Sequence, residues 1–298
     1  MLDRDALKAI LSAVARGEGA AFRNLHLDRA AHLYALALRS LNATEDAQEA
    51  LQQTFVEIWR LASSEQANWD APDLEMIRLC RNYSKEVALR SRRTRVQSRQ
   101  FEMSNPVQEG TASFELLELL NTLGRMSEAC RNVLTIAFFE FPTRETLSQR
   151  LSLTSEELTA SLRRCYAEYL TISNVKPTAI DRETDLIAMN QALGVSPLPG
   201  NAGHDPLMRA WELRLAPLAE LLVPVPPPNE TFDAIMLRIN ADENMAGAKR
   251  KDRRSQVMRA VLFMMVAALA SAVVYFGLVA ISQDAAASTT TIPEHRND

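Results

Sequence analysis

Between Asn42 and Arg60 the chain reads NATEDAQEALQQTFVEIWR, with its apolar positions at helical spacing. Ala47, Leu51, Thr54/Phe55, Ile58 and Leu61/Ala62 make one face, and Gln48, Glu49, Gln52, Gln53, Glu57 and Arg60 are left largely on the other. Thr44 is placed to cap this helix. Glu45 and Asp46 follow in the first turn, where the helix dipole favours negative charge. The same period recurs on both sides. Asp3–Arg16 predicts a short amphipathic helix stopped by Gly17 and Gly19, and Ala21–Leu41 a second. Asp73–Arg93 predicts a further helix through Met76, Ile77, Leu79, Cys80, Tyr83, Val87 and Leu89. Gln100–Ala112 is polar and broken by Pro106 and Gly110, as a linker is. Ser113–Leu123, Ser127–Phe139, Thr143–Leu151 and Ser155–Leu170 are predicted helices. The last two are joined by a short turn and packed through Leu147, Leu151, Leu153, Leu158 and Leu162, which is a helix-turn-helix pattern. Ser173–Pro206 reads as a proline-punctuated linker with one weak helix at Asp181–Leu193. Beyond it Trp211, Leu215 and Leu218 stand at i, i+4 and i+7, an apolar stripe that needs cover. That cover is either the N-terminal part of the same chain or the membrane surface. Pro224–Pro228 then reads as a stiff polyproline spacer.

A different pattern closes the chain. Ala260–Gln283 carries no charge, and at 1.5 Å per residue a helix of this length spans a hydrocarbon core of about 30 Å. Lys249, Arg250, Lys251, Arg253, Arg254 and Arg259 precede it, while the tail after it has Arg296 as its fixed positive charge. The positive-inside rule places everything before the span in the cytoplasm. The expectation is a single-pass protein of the inner (cytoplasmic) membrane. The N-terminus, Met1–Leu11, mixes acids with apolar residues and does not read as a cleavable signal peptide.

Composition narrows the chemistry. Over 298 residues the hydrophobic content is 47% and the net charge −4, so real cores are within reach and bulk charge does not select a polyanion partner. Any nucleic-acid contact must come from local clusters. The basic helix supplies one, with Arg78, Arg81, Lys85, Arg90, Arg92, Arg93, Arg95 and Arg99 against Glu75 and Glu86, and with Tyr83 nearby. Such a run is either a solvated face or a surface for DNA phosphates and an unpaired base. Cys80, Cys130 and Cys165 are far apart in sequence, which argues against a disulfide framework and against a Cys-x-x-Cys zinc site. His26 and His32 share a helix without i, i+4 spacing and read as surface residues. No nucleophile–base pair, phosphate-binding glycine loop or paired-carboxylate motif is present, so catalysis, a cofactor and a metal are not expected.

Several of these stretches carry a resemblance. Asp46–Arg60 matches, without a gap, the core-polymerase-binding helix of bacterial sigma factors of the extracytoplasmic-function group. The resemblance implies that Asp46, Glu49, Gln52, Gln53, Phe55, Trp59 and Arg60 contact core RNA polymerase. IRLCRNYSKEVALRSRRTR, at 77–95, resembles the family's promoter-melting and minus-ten segment. Arg81 and Asn82 match that segment, and Glu75 and Glu86 stand where an aromatic residue and an Asp are usual. FEFPTRETLSQRLSLTSEELTASLRRCYAEYL is similar to the family's minus-35-reading region, with Glu156 and Glu157 among residues that are usually Gly-Thr-Val-Lys-Ser-Arg. DNA contact is then implied for Arg78, Arg81, Asn82, Lys85, Arg90, Arg92, Arg93, Arg163 and Arg164. Leu207–Ile239 resembles the juxtamembrane part of the anti-sigma-K factor family, which implies an anti-sigma-like contact through Trp211, Leu215 and Leu218.

Taken together, the expectation is an all-α chain of two small helical domains, a linker and a single transmembrane helix. A sigma region two-like bundle spans 1–99, a linker 100–112 and a region four-like helix-turn-helix domain 113–172. A second linker covers 173–206, an anti-sigma-like juxtamembrane segment 207–256, the span 257–283 and an extracytoplasmic tail 284–298. Two functions fit. One is a membrane-tethered regulator whose sigma-like core binds core RNA polymerase and promoter DNA and is held in cis by its own tail. The other is a membrane-bound anti-sigma factor or adaptor whose sigma-like part no longer initiates transcription. The partners these imply are polymerase, promoter DNA, the lipid bilayer, a separate sigma factor and a membrane protease.

Overall fold

The computed structural model describes residues 2–64, 69–90, 112–140, 143–174, 181–196 and 205–242. Every element among them is helical, with no strand. In order they are α1 (Arg4–Ala15), α2 (Gly19–Leu41), α3 (Thr44–Ala62), α4 (Pro72–Arg90), α5 (Phe114–Arg125) and α6 (Glu128–Glu140). Then come α7 (Arg144–Leu151), α8 (Ser155–Ser173), α9 (Arg182–Leu193), α10 (Pro206–Leu215), a 3-10 helix (Ala216–Leu221) and α11, over 231–242. The chain divides into two compact units, Met1–Arg238 and Ile239–Asp298. Of the second, 239–242 are described. The expected span at 257–283, the tail 284–298, and Arg92 and Arg93 lie outside the described residues. No helix among the described residues is long and apolar enough to cross a membrane.

Local chemistry sets most of the helix ends. Asp3 caps α1 by accepting the Ala6 N–H, Ser113 caps α5 at Leu116 and Thr143 caps α7 at Thr146. At α8 the Thr154 hydroxyl accepts the Glu157 N–H while the Glu157 carboxylate accepts the Thr154 N–H, a complete capping box. α3 departs from the sequence expectation. Its N-cap is Ala43, in extended conformation and without a side-chain bond, and Thr44 is already the first helical residue. Asn42, at φ 53°, ends α2 as its C-cap, so the N-cap position of α3 falls to Ala43, whose methyl cannot accept a hydrogen bond.

α1–α4 enclose one core. Leu7, Leu11 and Val14 of α1, Phe22, Leu25 and Leu33 of α2, Leu51, Phe55 and Ile58 of α3, and Met76 and Leu79 of α4 are all buried. His26, expected at the surface, lies in this core's edge, with its ring centroid 4.9 Å from Phe55 and 5.1 Å from Phe232. α5–α8 build a second core through Leu116, Leu119, Val133, Phe138, Leu158 and Leu162. Here the cysteine expectation is corrected: Cys130 of α6 and Cys165 of α8 form a disulfide, with Cα atoms 4.9 Å apart. A separation of 35 residues hides the pair in the sequence, and only the packing of the two helices reveals it.

Candidate nucleic-acid interface

On α4, Arg78, Arg81, Asn82 and Lys85 are spaced to share one face. That face is covered. Arg81 is 1% exposed, and its guanidinium lies 4.1 Å from the centroid of the Phe138 ring. Its Nε and Nη2 donate to the Phe138 carbonyl at 3.3 and 3.1 Å, and its Nη1 to the Ala192 carbonyl at 3.3 Å. Lys85 Nζ donates to the Gln191 carbonyl at 3.0 Å. Phe138, Gln191 and Ala192 all lie in the last turns of their helices, α6 and α9. The carbonyls there carry partial negative charge, which suits cations.

The carboxylate in this layer is Glu212 of α10, 1% exposed. It stands 3.6 Å from Arg78 Nη1. With the Asn82 amide oriented to satisfy its neighbours, Asn82 donates to Glu212 at 2.8 Å and accepts from Arg78 at 3.3 Å. Glu75 takes an ion pair from Arg78 at 2.7 Å and another from Arg209 of α10. Burial raises the Glu212 carboxyl, with Arg78 and Arg81 opposing. Burial likewise pushes Arg81 down to about 10 and Lys85 down to about 8, while Glu212 acts the other way on both. These are desolvated charges held by one another, an arrangement that is costly to break from either side.

A second cluster locks α9 and α10 to α8. Asp185, fully buried, accepts from Tyr166 Oη and from Trp211 Nε1, each at 3.0 Å. Trp211 is 0% exposed, with Tyr169 at 5.3 Å and Tyr166 at 6.0 Å between centroids and Arg214 over its ring at 4.9 Å. An indole removes roughly 150–250 Å² from water on burial and makes a strong anchor. Leu215 and Leu218 are buried with it. Further along, Glu220 accepts from the Ser113 N–H at 3.1 Å and its hydroxyl at 2.6 Å, tying the 3-10 helix to the start of α5. The Val225 N–H then donates to the Ala31 carbonyl of α2 at 3.0 Å.

The residues matched to polymerase docking fall into two sets. Asp46, Glu49, Gln53 and Trp59 are half-buried and Arg60 is exposed. Glu49 pairs with Arg90 at 3.2 Å and accepts from Gln53 at 2.9 Å, and Arg60 grips Glu57. Phe55, at 0% exposure, and Gln52, at 9%, face inward, so Gln52 leaves the polar face on which its spacing put it. The first turn of α11 lies beside this helix. Gln48 donates to Thr231 at 3.4 Å, and Phe232 stacks at 6.1 Å from Phe22, which in turn is 5.1 Å from Trp59. Arg23 covers the far face of Phe232 at 4.3 Å.

On α8, Arg163 and Arg164 are exposed, and Arg163 pairs with Glu183 at 3.0 Å. Glu156 and Glu157 stand at the exposed start of α8. No group of three His, Cys, Asp or Glu among the described residues is placed to hold a metal. Sequence reasoning missed Asp185, Tyr166, Tyr169 and Phe232, and it gave no contact to Glu212, which matches the resembled juxtamembrane stretch. α9 is the reason for the first: it is covered on several sides over Asp185–Leu193, so it shows no apolar stripe to mark a face. An acid next to the Trp211 anchor was the one available signal for Glu212. No protein-family model matches the chain, and no curated protein matches it.

Proposed function

We propose that the chain is a membrane-tethered regulator of bacterial transcription initiation, in which a sigma-like core is held inactive by its own anti-sigma-like tail. The observation that carries this is the cover on α4. The residues that the resemblance assigns to minus-ten DNA, Arg78, Arg81, Asn82 and Lys85, spend their charge and hydrogen bonds on the ends of α6 and α9 and on Glu212. Helix-end carbonyls and a carboxylate take the place that DNA phosphates would occupy. The tail also reaches the other face, where Thr231 and Phe232 lie beside the helix matched to polymerase docking. Core RNA polymerase and promoter DNA are the partners, and the bilayer is the anchor.

A second reading is favoured by Glu75 and Glu157. The acids that replace the family's usual residues are both built into the fold, one in the Arg78/Arg209 ion pairs and one in the capping box. A part so adapted suits an adaptor that docks on polymerase without initiating. The test is transcription by core polymerase with the full chain in detergent micelles, comparing wild type with a Trp211→Ala/Glu212→Lys variant. Promoter-dependent transcript from the variant alone supports the first function. Polymerase capture by both without transcript supports the second, and no capture by either refutes both.

A further inference from the structure

We propose that Cys130 and Cys165 are a redox-modification site, a dithiol–disulfide pair whose oxidation state sets how firmly the tail segment 206–221 is held against α8. As regulation of the tail this rests on the function proposed above. As chemistry it rests on where the pair sits.

The pair joins the two helices that grip the tail layer. Cys165 precedes Tyr166, whose hydroxyl holds Asp185, and one turn later Tyr169 packs on Trp211. Cys130 opens α6, whose other end holds Arg81 through the Phe138 carbonyl. A covalent tie between α6 and α8 therefore fixes the spacing between the Arg81 grip and the Asp185–Trp211 grip. Their Cα atoms, 4.9 Å apart, allow the bond to form and break without moving the backbone. Near this tie the Glu168 carboxylate of α8 accepts from the Ser127 N–H at 3.0 Å and from its hydroxyl. With the sulfurs unlinked, these hydrogen bonds and apolar packing are left to hold the two helices together.

Reactivity favours Cys130 as the entry point. It lies in the first turn of α6, where the helix dipole favours negative charge, with its own N–H given to the Ser127 hydroxyl at 3.4 Å. Both sulfurs are buried, but Ser127, Glu128 and Ala129 just before Cys130 are exposed, so an oxidant reaches the pair from this end once the Ser127–Glu168 hydrogen bonds open. Cys80 is the internal contrast. Like Cys130 and Cys165 it is buried, but it has no second cysteine beside it, its thiol donates to the Leu33 carbonyl at 3.2 Å, and burial pushes it up to about 12. The oxidant class is a peroxide. The Cys130 thiolate attacks the O–O bond of hydrogen peroxide, becomes a sulfenic acid and releases hydroxide, which takes up the thiol proton as water. Cys165 sulfur then attacks Cys130 sulfur, expels the sulfenic oxygen as a second water and closes the disulfide. In sum, two thiols and one peroxide give one disulfide and two waters. A dithiol reductant reverses this by exchange, through a mixed disulfide on Cys130 that its own second thiol resolves. In a cytoplasm that keeps thiols reduced, a disulfide of this kind is a sensor and not a fixed staple.

The experiment uses the full chain in detergent micelles, without polymerase or DNA, so its outcome is separate from that of the transcription test. Samples treated with hydrogen peroxide or with dithiothreitol are quenched, denatured and alkylated. Of the three cysteines, intact mass should show Cys80 alone alkylated after peroxide and all three after dithiothreitol. Hydrogen exchange of the amides in 206–215 should then be about five-fold faster, or more, in the reduced sample. A Cys130→Ser/Cys165→Ser variant should exchange like the reduced wild type and ignore peroxide. The comparison of the two wild-type forms stands even if that variant does not fold. The proposal is overturned if peroxide fails to join the two sulfurs. It is equally overturned if fully oxidised and fully reduced wild type exchange alike over 206–215.

Discussion

His26 shows what one buried ring does to the pH response. Desolvation, with Arg23 adding to it, pushes its pKa from 6.5 down to about 4, and its Nε2 is buried without a hydrogen-bond partner. The folded state therefore favours the neutral ring. The stability this group contributes is fully present above pH 6.5 and is lost as pH falls through 4, because the unfolded chain takes up the proton first. Its largest effect over that window is about 3 kcal/mol. His32 is shifted the same way, also chiefly by desolvation, and adds to the slope. Urea unfolding from pH 7 to pH 4 should show this loss, and His26→Leu should flatten it while leaving the part due to His32. An unchanged slope in His26→Leu would place the pH response elsewhere. Asp185 is the other decisive residue. Asp185→Ala leaves the Tyr166 hydroxyl and the Trp211 N–H buried without an acceptor, at about 1–3 kcal/mol for each. Asp185→Asn keeps the shape and should lose less. Thermal unfolding of both variants checks the order, and equal melting temperatures would refute the assigned role.

At the scale of elements, α3 and α8 carry the resemblance on one apolar face each, whereas α4 carries it with residues buried on several sides. α8 combines two demands at its start. Glu157 is an added acid in a stretch that resembles one usually reading Gly-Thr-Val-Lys-Ser-Arg, and it closes the capping box with Thr154. Thr154→Ala should destabilise the packing of α8 by about 1 kcal/mol, read as a lower urea midpoint. A midpoint unchanged in that variant would mean that the capping box carries no stability. α9 illustrates the opposite case. The sequence marks it as a weak helix, yet Asp181 caps it and Gly194, at φ 82°, ends it in a conformation that favours glycine. Its last carbonyls are thereby left pointing at Arg81 and Lys85.

Across the whole of Met1–Arg238, the tail is part of the core and not an appendage. Trp211, Leu215, Leu218 and Phe232 are as buried as the residues of α1–α4. Freeing α4 requires removing α10 and displacing both α9 and the end of α6, since each supplies part of the cover. We expect Trp211→Ala/Glu212→Lys in the full chain to bind promoter DNA more tightly than wild type. Each phosphate that Arg78, Arg81 or Lys85 newly engages should steepen the log–log salt dependence by about 0.9. Fluorescence anisotropy over a salt series measures both. An unchanged slope would mean that these side chains stay committed to the fold.

The order of helices, most of their ends and the apolar faces of α3 and α8 follow from local pattern: spacing at the helical period, capping residues and breakers act over a few positions and leave their mark there. The stripe of Trp211, Leu215 and Leu218 likewise announces a need for cover without naming what supplies it. What covers it is a matter of distant partners. Asp185 meets Trp211 and Tyr166, Arg81 meets the ends of two helices, and Cys130 meets Cys165 through packing that no neighbouring residue encodes. Gln52 and His26 look like surface residues by spacing and are buried because other helices close over them. Burial, and with it the charge state and availability of each group, depends on the sum of surfaces brought together, so it is fixed when the helices pack and not before.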